Sequence, residues 1–119
     1  MEFKTLIAYQ KAKSAYELVS DDILPKLSDR IIKDQLKRAS LSIVLNIAEG
    51  TSRTSKQNRR HFFVIARGSA YESFAIIDLV KLGSEERKAA QGLLEEVSKI
   101  LFALIKGLSV VENPGKSVK

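Results

Sequence analysis

The stretch that decides the fold runs from Arg38 to Glu72. It reads Arg-Ala-Ser-Leu-Ser-Ile-Val-Leu-Asn-Ile-Ala-Glu-Gly (38–50), then Thr-Ser-Arg-Thr-Ser-Lys-Gln-Asn-Arg-Arg-His (51–61), then Phe-Phe-Val-Ile-Ala-Arg-Gly-Ser-Ala-Tyr-Glu (62–72). Apolar residues recur at three- and four-residue steps in the first and third parts, the period of an amphipathic helix. The middle part is polar and short. Gly50 fits a helix-ending C′ position, where a left-handed residue carries no Cβ penalty. Thr54 and Gln57, three apart, fit a capping box for the next helix. Two helices joined so tightly must run antiparallel.

Upstream, a helix over about 29–49 puts Ile32, Leu36, Ala39, Ile43 and Ile47 on one face, with Ser28 or Asp29 as its N-cap. Leu41, Val44, Leu45 and Ala48 form a second apolar face, which predicts contact with another subunit as well as with the core. Before it, residues 2–20 carry Ala8, Ala12, Ala15, Tyr16 and Val19 on one stripe that Ile23 continues. Ser20-Asp21-Asp22 and Pro25 place a connection within 21–28.

Downstream, the third helix extends to about Lys81, with Phe62, Ala66, Ser69, Phe74, Ile77 and Val80 or their neighbours facing inward. Leu82-Gly83-Ser84 reads as a stop followed by an N-cap, and Glu85 and Glu86 favour the positive end of the following helix dipole. The fourth helix has the cleanest stripe, through Ala90, Leu93, Leu94, Val97, Ile100, Leu101, Leu104, Ile105 and Leu108. Together these patterns predict an all-α, antiparallel up-down-up-down four-helix bundle over 1–111. Residues 112–119, with Pro114 and Gly115, are expected to form a flexible C-terminal tail.

Composition narrows the chemistry. A chain of 119 residues, 45% hydrophobic and 29% charged, is the size of one domain with its own core. Without cysteine there is no disulfide, thiolate nucleophile or cysteine-ligated zinc. No run approaches the roughly 20 apolar residues of a membrane span, and the first residues lack a signal-peptide pattern. The expectation is a cytoplasmic protein without a membrane partner.

The net charge is +6, and residues 50–71 supply five of it through Arg53, Lys56, Arg59, Arg60 and Arg67, with no acid. Arg53, Arg60 and Arg67 are seven apart, with Lys56 between the first two. If the segment is helical they form one stripe, with Arg59 beside it. Such a row can follow a phosphate backbone and displace its counterions. The competing reading is a solvated or intersubunit face on which arginine pairs with Glu49, Glu72 or a neighbour's acid. No aromatic interleaves the stripe, so binding would be electrostatic and sequence-tolerant, without base stacking.

No catalytic set emerges. His61 is the only histidine and has no Glu three residues before it, so no metal or cofactor is implied. Asn46 and Glu49 suit a buried hydrogen-bond network or a Glu49–Arg53 contact at the helix junction. Ser40, Ser42 and Ser69 have no histidine or lysine at a recognisable spacing. Gly68 and Ser69, mid-helix, predict close approach of another helix, against Ala39 and Ser42 or across a subunit boundary.

Ser42-Ile43, Asn46-Ile47-Ala48-Glu49-Gly50, Arg53, Ser55, Phe62, Ile65-Ala66, Gly68-Ser69 and Glu72 together resemble the signature of the four-helix-bundle family known from 23S rRNA intervening sequences. The accessory variability determinant of diversity-generating retroelements is a relative within that family. The resemblance covers Phe3 to about Leu108. One departure is Asn58, where the family pattern usually carries an acid. The resemblance implies a homopentameric barrel of bundles. In the retroelement branch it also implies binding to nucleic acid and to a reverse transcriptase. Members encoded within ribosomal RNA genes have no settled activity.

The expected function is therefore a non-enzymatic, oligomeric accessory protein that binds nucleic acid, RNA before DNA, through the five basic residues. The alternative is a scaffold whose basic face docks an acidic protein, such as a reverse transcriptase, without touching nucleic acid.

Overall fold

The structure, a computed structural model, describes residues 2–109. The expected tail at 112–119 lies outside the described residues. Four helices account for most of the chain: α1 (Phe3–Leu18), α2 (Arg30–Ser52), α3 (Lys56–Leu79) and α4 (Ser84–Gly107). Among the described residues there is no strand. None of the helices is long and apolar enough to cross a membrane.

Each helix packs on its chain neighbour, and α1 closes the ring against α4. A 24-residue helix is about 36 Å long, and the α2–α3 connection is only Arg53–Ser55. A link that short cannot return to the helix start, so successive helices are antiparallel and the arrangement is a four-helix bundle.

The core follows the apolar stripes. Ala8, Ala12, Ala15 and Val19 of the first segment meet Leu36, Ile43 and Ile47 of α2, Phe63, Ala66, Ala70 and Ile77 of α3, and Leu94, Val97 and Leu101 of α4. The alanines bring α1 close to its neighbours. Each fully buried Leu, Ile or Phe contributes about 1.5–3 kcal/mol relative to exposure.

Several local expectations are corrected. Ser20-Asp21-Asp22 does not break the first helix. The chain continues through a widened π turn (Val19–Ile23) and a 3-10 turn (Leu24–Lys26) holding Pro25. Burial of Val19 and Ile23 outweighs the weak helix propensity between them. The N-cap of α3 is Ser55, whose Oγ accepts from the Asn58 amide at 3.1 Å, so the Thr54/Gln57 capping box does not form. Gly83 rather than Ser84 occupies the N-cap position of α4. Asp29 does cap α2, accepting from the amides of Ile31 and Ile32 at 2.9 and 3.1 Å.

Gly50 is the most informative correction. It is not a left-handed C′ residue; α2 runs through it to Ser52 with negative φ. A Cβ on Gly50 would stand 2.6 and 2.8 Å from Cε1 and Cδ1 of Phe63 and 3.2 Å from the Arg59 carbonyl oxygen. The glycine is there for close packing, because the Phe63 ring fills the space its side chain would take.

Candidate nucleic-acid interface

The seam between α2 and α3 sets the pose of the basic segment. Near its middle, Asn46 Nδ2 donates to the carbonyl and hydroxyl oxygens of Ser42 at 2.9 and 3.0 Å, and Ser42 Oγ shares a hydrogen bond with Ser69 Oγ at 2.9 Å. One turn further along α3, Glu72 forms an ion pair with Arg38 of α2. At the junction end, Gly50 and Phe63 lock together. Asn46, Gly50, Ser69 and Glu72 thus join one helix to the next. Gly68 does not: nothing outside its own stretch of helix lies within 4 Å of where its Cβ would be, and the expected approach to α2 is made by Ser69, through Ser42.

The five predicted cations divide. Arg53 caps the C-terminus of α2 in an extended conformation (φ −83°, ψ 148°). Its seven-residue spacing from Arg60 therefore carries no helical meaning. The guanidinium bonds Glu49 at 2.8 Å and lies 4.8 Å over the Phe62 ring, on the flank of α3 that faces α2. Arg67 lies on the other flank. It donates to Tyr71 Oη at 2.7 Å and sits 4.9 Å over two rings, Tyr71 and, from α4, Phe102. Arg53 and Arg67 do not share a stripe.

Lys56, Arg60 and Arg67, at steps of four and seven, do share the α4-facing flank by helical geometry. Lys56 and Arg60 are exposed; Arg59 and Arg67 are half-buried, each with a buried Nε that has no protein acceptor. None of these four forms an ion pair among the described residues, whereas Lys11, Lys26, Arg38 and Arg53 are all paired with glutamates. His61 is exposed and sits edge-on to Phe62, with ring centres 5.2 Å apart. No three His, Asp or Glu residues cluster as a metal-holding group among the described residues.

Beside Arg67 an open groove of about 630 Å³ runs between α3 and α4. Arg67, Tyr71 and Phe74 line it from α3, and Leu94, Lys99 and Phe102 from α4. Glu95 and Ser98 add polar atoms. Sequence reasoning missed Tyr71, Lys99 and Phe102. A signal existed, because Phe102 is the aromatic of α4 and falls off its apolar stripe, where an aliphatic core has no use for it.

The profile of the 23S rRNA-intervening sequence protein family matches residues 4–105, which includes the whole of this region. The chain belongs to that family. In structure it is similar to a protein of unknown function from the S23 ribosomal protein family of Bacteroides thetaiotaomicron, with a TM-score of 0.78 and 21% identity over 87% of this chain and 99% of that one. At that identity the likeness establishes the shared bundle. Comparison with curated proteins gave no match. Neither the family's description nor the neighbour's names an enzymatic activity.

Proposed function

We propose that this chain is a non-enzymatic, cytoplasmic protein that self-associates and binds nucleic acid through the α3–α4 flank. RNA is favoured over DNA because the family takes its name from an RNA. The observation that carries the reading is the local concentration of cations: residues 50–71 hold five basic residues and no Asp or Glu, and of these Lys56, Arg59, Arg60 and Arg67, like Lys99 across the groove, form no ion pair among the described residues. Cations that have no acid to meet on their own protein remain available for phosphates. Arg53, already held by Glu49, has a smaller part than its place in the sequence implied.

Self-association rests on a different surface. Leu41 and Leu45 of α2 and Ile65 of α3 are exposed, and Gly68 lies bare beside Ile65 on α3. Exposed aliphatic side chains around a bare glycine suit a second helix, and so a ring of subunits, the pentamer the family resemblance implies. The basic flank then stays free at the α3–α4 side.

The test is binding of fluorescein-labelled RNA and DNA, followed by anisotropy, for wild type, Arg60→Glu/Arg67→Glu and Arg53→Glu. The double reversal is expected to abolish binding at unchanged oligomeric mass, and Arg53→Glu to weaken it less. Absence of RNA and DNA binding by the wild type at low salt overturns the reading in favour of an acidic protein partner, of the reverse-transcriptase kind.

A further inference from the structure

We propose that the α3–α4 groove is a stacking site for unpaired bases, so that the ligand is single-stranded rather than duplex nucleic acid. This rests on the nucleic-acid reading above and specifies its ligand. Tyr71 and Phe102, 56% and 52% exposed, stand on opposite walls of the groove with the Arg67 guanidinium between them. Large aromatic side chains exposed to this degree, beside a cation that no carboxylate neutralises, make a platform with both components of single-strand recognition. Each ring meets the Arg67 guanidinium on one face and remains more than half exposed, which leaves π-surface for a base, and the cations follow the backbone.

The register of the two antiparallel helices shows where that backbone would run. Gln91 of α4 reaches the Phe74 carbonyl, and Arg87 bonds the Ile77 carbonyl. Carried toward the other end of the bundle, the same register brings Phe102 abreast of Phe63, and Lys106 abreast of Arg59 and Arg60. Arg67 and Lys99 line the groove beside the aromatic pair, with Glu95 the acid among its lining residues, and helical spacing places Arg60, seven before Arg67, and Lys106, four after Phe102, on the same flank beyond its end. A volume of about 630 Å³ is in the range of small-molecule pockets and suits inserted bases. The floor of Phe74, Leu94 and Ala70 is apolar, as a base face requires.

A docked partner helix fits less well. Its α3 wall spans only Arg67 to Phe74, about two turns, and its rim is cationic and aromatic rather than aliphatic. Duplex nucleic acid fits less well too, because paired bases cannot reach the rings. Glu95 and Ser98 lie where they could accept from or donate to a base edge, which gives the site some preference without a strict code.

The experiment uses the full chain and three fluorescein-labelled probes: a 12-nucleotide single-stranded RNA, the same strand with its central bases replaced by abasic residues, and the 12-base-pair duplex. Wild type and Tyr71→Ala/Phe102→Ala are compared, with helicity by circular dichroism and mass by light scattering as controls. Loss of the stacking partners, whether by abasic substitution or by the double variant, is expected to weaken single-strand binding about tenfold or more while duplex binding stays within about twofold. Equal affinity of wild type for abasic and intact strands overturns the stacking site and leaves the electrostatic reading in place. Failure of wild type to bind any probe overturns both. A double variant that loses oligomeric mass shows the groove to be a subunit contact, which also overturns the proposal.

Discussion

Gly50→Ala tests the packing at the α2–α3 junction. Two effects compete. Alanine is the better helix former, and a mid-helix glycine replaced by alanine gains up to about 1 kcal/mol. Against that, the new Cβ would lie 2.6 and 2.8 Å from the Phe63 ring and 3.2 Å from the Arg59 carbonyl oxygen. Phe63 is fully buried, so its ring cannot swing into solvent, and the carbonyl belongs to the first turns of α3. Overpacking of this kind costs about 1–3 kcal/mol. The clash should win, with a net loss of ~1–2 kcal/mol, or a fall of ~0.5–1 M in the urea midpoint for a typical small-protein m-value. Urea denaturation followed at 222 nm and at fixed protein concentration measures it, because oligomer dissociation would otherwise enter the midpoint.

A second background sharpens the test. Phe63→Leu removes Cε1 and leaves a branched end free to pivot about χ2. In that background Gly50→Ala should be neutral or stabilising, a coupling of about 1–3 kcal/mol between the two sites. A Gly50→Ala protein more stable than wild type, or an equal loss in both backgrounds, would refute the packing argument. The reading of Gly50 as a left-handed helix stop, by contrast, predicts a loss that Phe63→Leu leaves untouched.

Asp29→Ala removes the acceptor for the Ile31 and Ile32 amides and should lower stability by about 1 kcal/mol, with Asp29→Ser recovering most of it in the same urea titration. Gly68→Leu places a side chain where nothing outside the residue's own stretch of helix lies within 4 Å. Helix propensity alone would then hold or raise the stability of an isolated subunit by up to about 1 kcal/mol. If the outer α2–α3 face joins subunits, the same variant lowers the mass measured by light scattering; an unchanged mass counts against that contact.

The parts of the fold legible in the sequence are those fixed by local rules. The stripes of α2 and α4 declare their buried faces through residues three and four apart, and the Asp29 cap needs only its own turn. Short connections then leave little choice but a bundle. What stayed hidden depends on partners distant in the chain. Gly50 looks the same in sequence whether it frees the backbone or makes room for a ring, and the ring belongs to Phe63 on the next helix. The seven-residue spacing of Arg53, Arg60 and Arg67 predicted a stripe, but the non-helical connection Arg53–Ser55, extended at both ends, turns Arg53 to the other flank.

The candidate site was half visible for the same reason. Its cations cluster in sequence, so composition found the α3 share of them. Its aromatic rings do not: Tyr71 and Phe102 are 31 positions apart and share the Arg67 guanidinium only because α3 and α4 pack antiparallel. The inference that aromatics were absent from the basic face fails on both helices: Tyr71 stands four residues after Arg67 on α3, and Phe102 reaches the same guanidinium from α4. Ser42 and Ser69 are similar, two ordinary helix residues until the seam brings their hydroxyls to 2.9 Å.

The most direct measurement of the central claim is the salt dependence of RNA affinity for the wild-type chain. Five unpaired cations, Lys56, Arg59, Arg60, Arg67 and Lys99, engaging single-stranded phosphates predict a slope of log K against log salt near −3.5, from about 0.7 per contact. A slope close to that value, reduced by about 1 or more when Arg60 and Arg67 are replaced by glutamine, is the expected result. Affinity indifferent to salt, or no binding at low ionic strength, would contradict the account and return the basic flank to a protein partner.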